Sequence, residues 1–305
     1  MEYKAEDRCH NAIFGLFYSP NNVLTGELKL NGKAELTGFE CRKQKAFAPE
    51  NNMPLSYRQV GSSPDALMLV TAKTCASSMD LAWRLAGENR FPEWASVLVS
   101  AQTAGRGQFQ RHWHSPPGNV YGSLRVPAMR PVWGNLFSLL LAKSMAEILK
   151  GLGLAPAIKW PNDLLVGGKK VGGILIEAKS DIVIAGLGLN LISAPRTSAL
   201  HSPLAPAAGC LQEFGVTCSP LDLWVPFVRH LRSQVTETLL HGNPEQFVGN
   251  LRPHLAYIGE RILLDAFGEA ERPVIFQGIT ADGAITVQTT EGERIFRSGS
   301  MYPVA

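Results

Sequence analysis

A lysine and a carboxylate four positions apart open the stretch Lys159-Trp-Pro-Asn-Asp-Leu-Leu-Val-Gly167. About 50 residues upstream runs a glycine-rich loop, Gly105-Arg-Gly-Gln-Phe-Gln-Arg111. Lys159 brings a compact ammonium. Gly105 and Gly107 let backbone N–H groups approach an anion closely, and Arg106 adds a fixed fork of donors. Together they suit a reaction that builds negative charge on phosphate and carboxylate oxygens. Either motif alone is a weak signal; their pairing and order carry the reading. His112 and His114 form an H-x-H pair, but no cysteine or acidic cluster accompanies it, so no metal is assigned to protein side chains.

These residues need a scaffold, and regular signals begin at Ser77. Ser77–Ala86 reads as a helix with serine at its start and apolar residues at helical spacing. Ala95–Ser100 and Asn119–Val126 read as strands, and Asn135–Lys150 as a mostly apolar helix stopped at Gly151. Ala157–Trp160 is a short strand. Asp163–Val166 and Val171–Ile176 flank Gly167-Gly168 as a hairpin, and Asp181–Leu189 is a further buried strand. Ser193–Gly209 is a loop. Leu221–Leu240 is an amphipathic helix, with Leu223, Trp224, Phe227, Leu231 and Val235 on one face. After Gly249 only short strands follow: 261–264, 274–280, 284–289 and 293–297, separated by Asp282-Gly283 and Glu291-Gly292. The reading is α+β: a mixed catalytic domain over 63–249, then a small β-barrel or open sheet over 250–305. Residues 1–62 form an extension in which Glu27–Leu36 alternates around Asn31-Gly32, a hairpin signal.

Composition sets bounds. With 305 residues, 45% of them hydrophobic, the chain can bury a sizeable core and hold two domains. A formal charge of +3, scattered along the chain, does not point to nucleic acid. Cysteines 9, 41, 75, 210 and 218 form no CxxC pair and leave an odd one over, as expected in a reducing compartment. The polar N-terminus lacks a secretion signal and no apolar run reaches membrane-spanning length, so a cytoplasmic protein is expected.

Three blocks resemble the biotin protein ligases, also called biotin–[acetyl-CoA-carboxylase] ligases. They are Gln102–Ser123 with its Gly-Arg-Gly loop, Lys159-Trp-Pro-Asn-Asp163 with Lys169–Glu177 after it, and Gly186-Leu-Gly-Leu-Asn190. The resemblance is strong over roughly 65–193, loose over 250–305, and absent from about the first 60 residues. No helix-turn-helix pattern occurs there, so the resemblance is to the form without a DNA-binding domain, and no DNA partner is expected. The implied fold is an antiparallel-rich sheet backed by helices, like class II synthetases, with a small C-terminal β domain.

The resemblance implies that biotin's carboxylate attacks the α-phosphate of ATP, giving biotinyl-AMP, and that a carrier-protein lysine then takes the acyl group. ATP and Mg²⁺ are the implied cofactors, and biotin the substrate. The implied partner is a biotin carboxyl carrier domain of a biotin-dependent carboxylase. A strand edge could pair with that domain or form a homodimer. By matching position Lys159 bridges carboxylate and phosphate. Asp163 either directs the incoming amine and accepts its proton or caps the turn beside Asn162. Gly105, Arg106 and Gly107 close over the adenylate, with Gln108 and Arg111 beside it. Trp113 stacks near adenine or packs in the core. Ser77, Ser78 and Gln102 hold biotin's ureido ring or serve as caps and strand-end contacts. Gly173 and Gly188 let the backbone approach ligand, and Asn190 contacts the nucleotide.

Departures qualify this. Met79 stands where relatives carry asparagine, and Gln108-Phe109-Gln110 replaces Arg-Arg-Gly. Loss of the charge at 108 is expected to speed leakage of biotinyl-AMP. A lipoate or octanoate ligase of the same superfold and a non-catalytic biotin-binding protein are the alternatives.

Overall fold

The computed structural model describes residues 55–60, 66–128, 130–196, 204–265 and 272–304. The expected hairpin at Glu27–Leu36 lies outside them. Among the described residues, eight strands make one sheet and five make a second.

The first sheet comprises β1 (Ser56–Val60), β2 (Leu67–Cys75), β3 (Ser96–Gln102), β4 (Val120–Val126), β5 (Pro156–Lys159), β6 (Asp163–Val166), β7 (Lys169–Lys179) and β8 (Ile182–Leu189). Their spatial order is β1-β2-β3-β4-β8-β7-β6-β5. Only the β2–β3 pair is parallel. That pair needs a crossover, which is helix α1 (Ser78–Gly87). β1 falls within the segment expected to be an extension, yet it pairs with β2 as an edge of the main sheet.

Alternation along the strands divides the core into two layers. Val97, Val99, Tyr121 and Ile184 point to one face, where Met79, Ala82, Leu85 and Ala86 of α1 cover them. Leu98, Val120, Leu124, Ala185 and Leu187 point to the other. There they meet α2 (Phe137–Gly151) and α3 (Pro220–His241). Ser219 caps α3, accepting from the Asp222 N–H, while Asp222 reaches back to the Ser219 N–H. The β6–β7 hairpin turns on Gly167 and Gly168, both at positive φ, which the type I′ geometry of a two-residue connection demands.

A fourth helix, α4 (Pro244–Leu251), was not anticipated, and the expected boundary after residue 249 falls inside it. The second sheet holds β9 (Arg261–Asp265), β10 (Arg272–Ile279), β11 (Ile285–Thr289), β12 (Gly292–Phe296) and β13 (Ser300–Pro303), all antiparallel, ordered β12-β11-β10-β9-β13. β13 was also missed. The second sheet leans on the first through its Asp282-Gly283 turn. Trp160 Nε1 donates to the Gly283 carbonyl at 3.0 Å and Asn135 Nδ2 to the Asp282 carbonyl at 3.0 Å. Among the described residues no helix is long and apolar enough to cross a membrane.

Candidate active site

Lys159 ends β5 and Asp163 begins β6, directly opposite each other in the ladder. Three turn residues, Trp160 to Asn162, connect them with a cis Trp160–Pro161 bond. The turn is held on every side: by Trp160 on Gly283, by the Ser138 hydroxyl on the Pro161 carbonyl at 3.0 Å, and by Asn162 Nδ2 on the Ile174 carbonyl at 2.6 Å. Within this frame Lys159 Nζ lies 2.8 Å from Asp163 Oδ2. A second ammonium, Lys170 Nζ, lies 2.6 Å from Asp163 Oδ1. Burial by itself would raise the Asp163 carboxyl, but the two lysines outweigh it and hold it down at about 2. The three groups carry one positive charge in excess.

Lys170 had not been singled out, and strand parity explains why. Gly173 pairs with Asp163, so strict alternation would turn Lys170 to the opposite face. A bulge intervenes: Leu164 faces Gly172 but Leu165 faces Lys170, leaving Val171 without an opposite number. The extra residue re-aims Lys170 toward Asp163. The Gly172-Gly173 pair in a strand was the available signal, since glycine inside a strand often marks a bulge. The side chain of Lys170 is 29% exposed, against 7% for Lys159.

The 105–113 loop folds back on itself. Gly107 N–H donates to the Arg111 carbonyl at 2.8 Å and Trp113 N–H to the Gly105 carbonyl at 2.8 Å, while Arg106 bridges His112. The expectation that both glycines offer N–H groups to an anion needs correcting. The Gly107 N–H is used within the loop. Gly105 is the one expected site residue that does not line the cavity: a Cβ there would sit 2.6 Å from Ser115 Oγ and 2.7 Å from the Trp113 carbonyl. Arg106 is also already engaged. Its Nη1 lies 2.6 Å from Asp80 Oδ1, and its Nε and Nη2 donate to Glu177 at 3.2 and 3.3 Å. Arg111 lies over the Phe109 ring at 5.2 Å.

Trp113 occupies the ground assigned to close ligand approach. A Cβ on Gly188 would lie 2.5 Å from its indole, and one on Gly173 3.1 Å. Both glycines therefore make room for the ring. Lys170 Nζ stands 5.4 Å from the ring centroid, and the buried indole N–H meets no acceptor among the described residues.

Ser77 is the N-cap of α1, accepting from the Met79 N–H at 3.2 Å, so its capping role is present. Gln102 accepts from the Ser78 N–H at 2.7 Å and donates to Ser115 Oγ at 2.9 Å. Ser78 Oγ lies 2.8 Å from Ser123 Oγ. Asn190, buried at the end of β8, donates to the Gly209 carbonyl at 3.1 Å.

All the expected residues except Gly105 line one cavity of about 780 Å³, in the range that takes a nucleotide-sized ligand. Its walls also include Lys170, Tyr121, Arg196, and Ser300 and Tyr302 from β13, none of which sequence reasoning had assigned. The Lys159–Asp163–Lys170 cluster therefore shares one mixed polar and apolar pocket with the 105–113 loop. Among the described residues no three His, Cys, Asp or Glu side chains converge on a metal site.

Comparison with known proteins identifies the fold and its relatives. Residues 74–190 match the biotin/lipoate A/B protein ligase family. A biotin–[acetyl-CoA-carboxylase] ligase of Paracoccus denitrificans is 32% identical, covering 76% of this chain and 97% of that protein. A ligase of the same name from Mycobacterium tuberculosis is 28% identical over 71% of this chain and 81% of its own. In three dimensions the chain is similar to the biotin protein ligase of Aquifex aeolicus solved with biotin and ATP. The TM-score is 0.64 at 25% identity, over 76% of this chain and 97% of that one.

Proposed function

The chain belongs to the biotin protein ligase family, and from that premise we propose how its cavity works. The protein is an ATP-dependent biotin ligase. Biotin's carboxylate attacks the α-phosphate of ATP, pyrophosphate leaves, and an amine then attacks the acyl carbon of biotinyl-AMP and releases AMP. Bringing a carboxylate and a polyphosphate together requires cations already in place in a site that excludes water. Mg²⁺ bound to ATP neutralises charge on the polyphosphate. The residues here fit an ion carried in by the nucleotide, since Asp163 is committed to two lysines.

One observation carries the assignment of roles: Lys159 and Lys170 share Asp163 on the wall of one cavity. Lys159 contacts the carboxylate and α-phosphate, and Lys170, the better exposed ammonium, balances Asp163 and adds a second positive charge beside the ligand. Asp163, kept ionised by the two lysines, attracts and orients the incoming amine and accepts its proton as the amide forms. The names of the curated relatives support a carboxylase as acceptor. The lysine of its carrier domain is the acceptor, in a cytoplasmic setting.

The test is biotin-dependent exchange of labelled pyrophosphate into ATP. Lys159→Ala is expected to lose exchange by about 100-fold or more, the scale of removing one positioned charge-stabilising group. Lys170→Ala should mainly cost stability, about 3 kcal/mol, by stripping a buried carboxylate of one partner. If Lys170→Ala loses the greater share of exchange at unchanged stability, the reacting cation is Lys170 instead.

A further inference from the structure

Arg106 carries the charge expected to meet the ligand, yet three of its five N–H donors go to two carboxylates on two separate elements. Asp80 lies in the first turn of α1, where the helix dipole favours a negative charge. Glu177 lies on β7, and its Oε2 also accepts from Trp83 Nε1 at 2.7 Å, one turn along α1 from Asp80. The guanidinium faces Glu177 through Nε and Nη2 together, the bidentate arrangement that fixes direction as well as distance. One arginine between two carboxylates leaves the group with a net negative charge.

What the group does hold is the loop. The 105–113 segment is tied limb to limb by the Gly107–Arg111 and Trp113–Gly105 hydrogen bonds and the Arg106–His112 bridge. Fixing Arg106 consequently fixes the whole segment, including the Trp113 ring lying on Gly188. The loop tip is held under strain. Phe109 and Gln110 have φ of 56° and 58°, left-handed backbone that residues with a Cβ adopt at a cost. A tip of this kind needs an anchor at its base.

We propose that Asp80 and Glu177 are positioning residues that latch the 105–113 loop across the cavity through Arg106, and so set how long biotinyl-AMP stays bound. The second half of this inference rests on the ligase reading above; the first half does not.

Two measurements on the full chain separate them. The first is tryptic nicking after Arg111 in ligand-free protein, compared for wild type, Asp80→Asn and Glu177→Gln. Asp80 is half exposed, so its variant keeps the fold even if the Glu177 variant does not. The second is the release rate of preformed biotinyl-AMP, followed beside its single-turnover formation rate. Both variants are expected to be nicked several-fold faster. They should release the adenylate about 10-fold faster, with formation changed no more than 2-fold, and Asp80→Glu should restore slow release. Raising salt should speed release from wild type more than from Asp80→Asn, because the partly exposed pair is screened. Unchanged nicking in folded variants overturns the latch. Formation and release shifting by equal factors overturns it too, since that marks general damage to the site. Absence of any pyrophosphate exchange in wild type would instead sink the ligase reading, and nicking would still decide the latch.

Discussion

Lys159, Asp163 and Lys170 show how the cavity keeps a cation available. One carboxylate between two ammonium groups is a stable arrangement for burial, because no charge is left without an opposite partner. It still leaves one positive charge in surplus facing an anionic ligand. At the loop the balance is reversed, with Arg106 outnumbered by Asp80 and Glu177. Gln108 therefore matters: it lines the cavity from the same loop and carries no charge. Replacing a neutral hydrogen bond by a charge-assisted one roughly doubles its strength. Gln108→Arg is expected to slow release of biotinyl-AMP by about 10-fold, measured by trapping the freed intermediate. Equal release rates would show that Arg111 already supplies that charge.

At the scale of elements, α2 and α3 are joined by more than apolar contact. Glu147 of α2 pairs with Lys143 on its own helix and with His230 Nε2 of α3 at 2.7 Å. Burial pushes the Glu147 carboxyl up, but the bonds from His230 and Lys143 outweigh it and bring it down to about 2. A carboxyl whose folded value is depressed stabilises the fold above its unfolded value of 4.5. That contribution is lost as pH falls from there toward 2. Glu147→Gln is expected to cost about 2 kcal/mol at pH 7. The difference from wild type should shrink below pH 4.5 in urea titrations. A difference that stays constant down to pH 2.5 would remove the ion pair as its cause.

For the molecule as a whole, the two sheets act on one cavity. Ser300 and Tyr302 of β13 stand on its wall beside residues of the larger sheet. The Asp282-Gly283 turn receives the indole N–H of Trp160, next to Lys159 in the chain. The small sheet thus braces the turn that aims the lysine–carboxylate pair. Trp160→Phe keeps most of the buried ring and deletes that bond, leaving the Gly283 carbonyl without its donor at about 1–3 kcal/mol. Amide exchange should then quicken in β10 and β11, the strands on either side of the turn. Protection unchanged there would mean the sheets are coupled through other contacts.

The sequence by itself determined the class of fold, the elements between Ser77 and Leu189, and the pairing of a glycine-rich loop with Lys159 and Asp163. Those features are local: helix and strand periodicities, a two-glycine hairpin, a serine cap and motif residues close together in the chain. Tertiary structure decided the remainder, for two physical reasons. Strand parity fails wherever a bulge adds a residue, and that is how Lys170 came to face Asp163. Long-range partners leave no periodic trace, so nothing in the chain told that Asp80 and Glu177, 26 residues before and 71 after Arg106, would hold its guanidinium. Nor did the glycines at 173 and 188 announce that the space above them belongs to a tryptophan ring. The residue types named the chemistry; which of them face the cavity and which are held by neighbours was settled by packing.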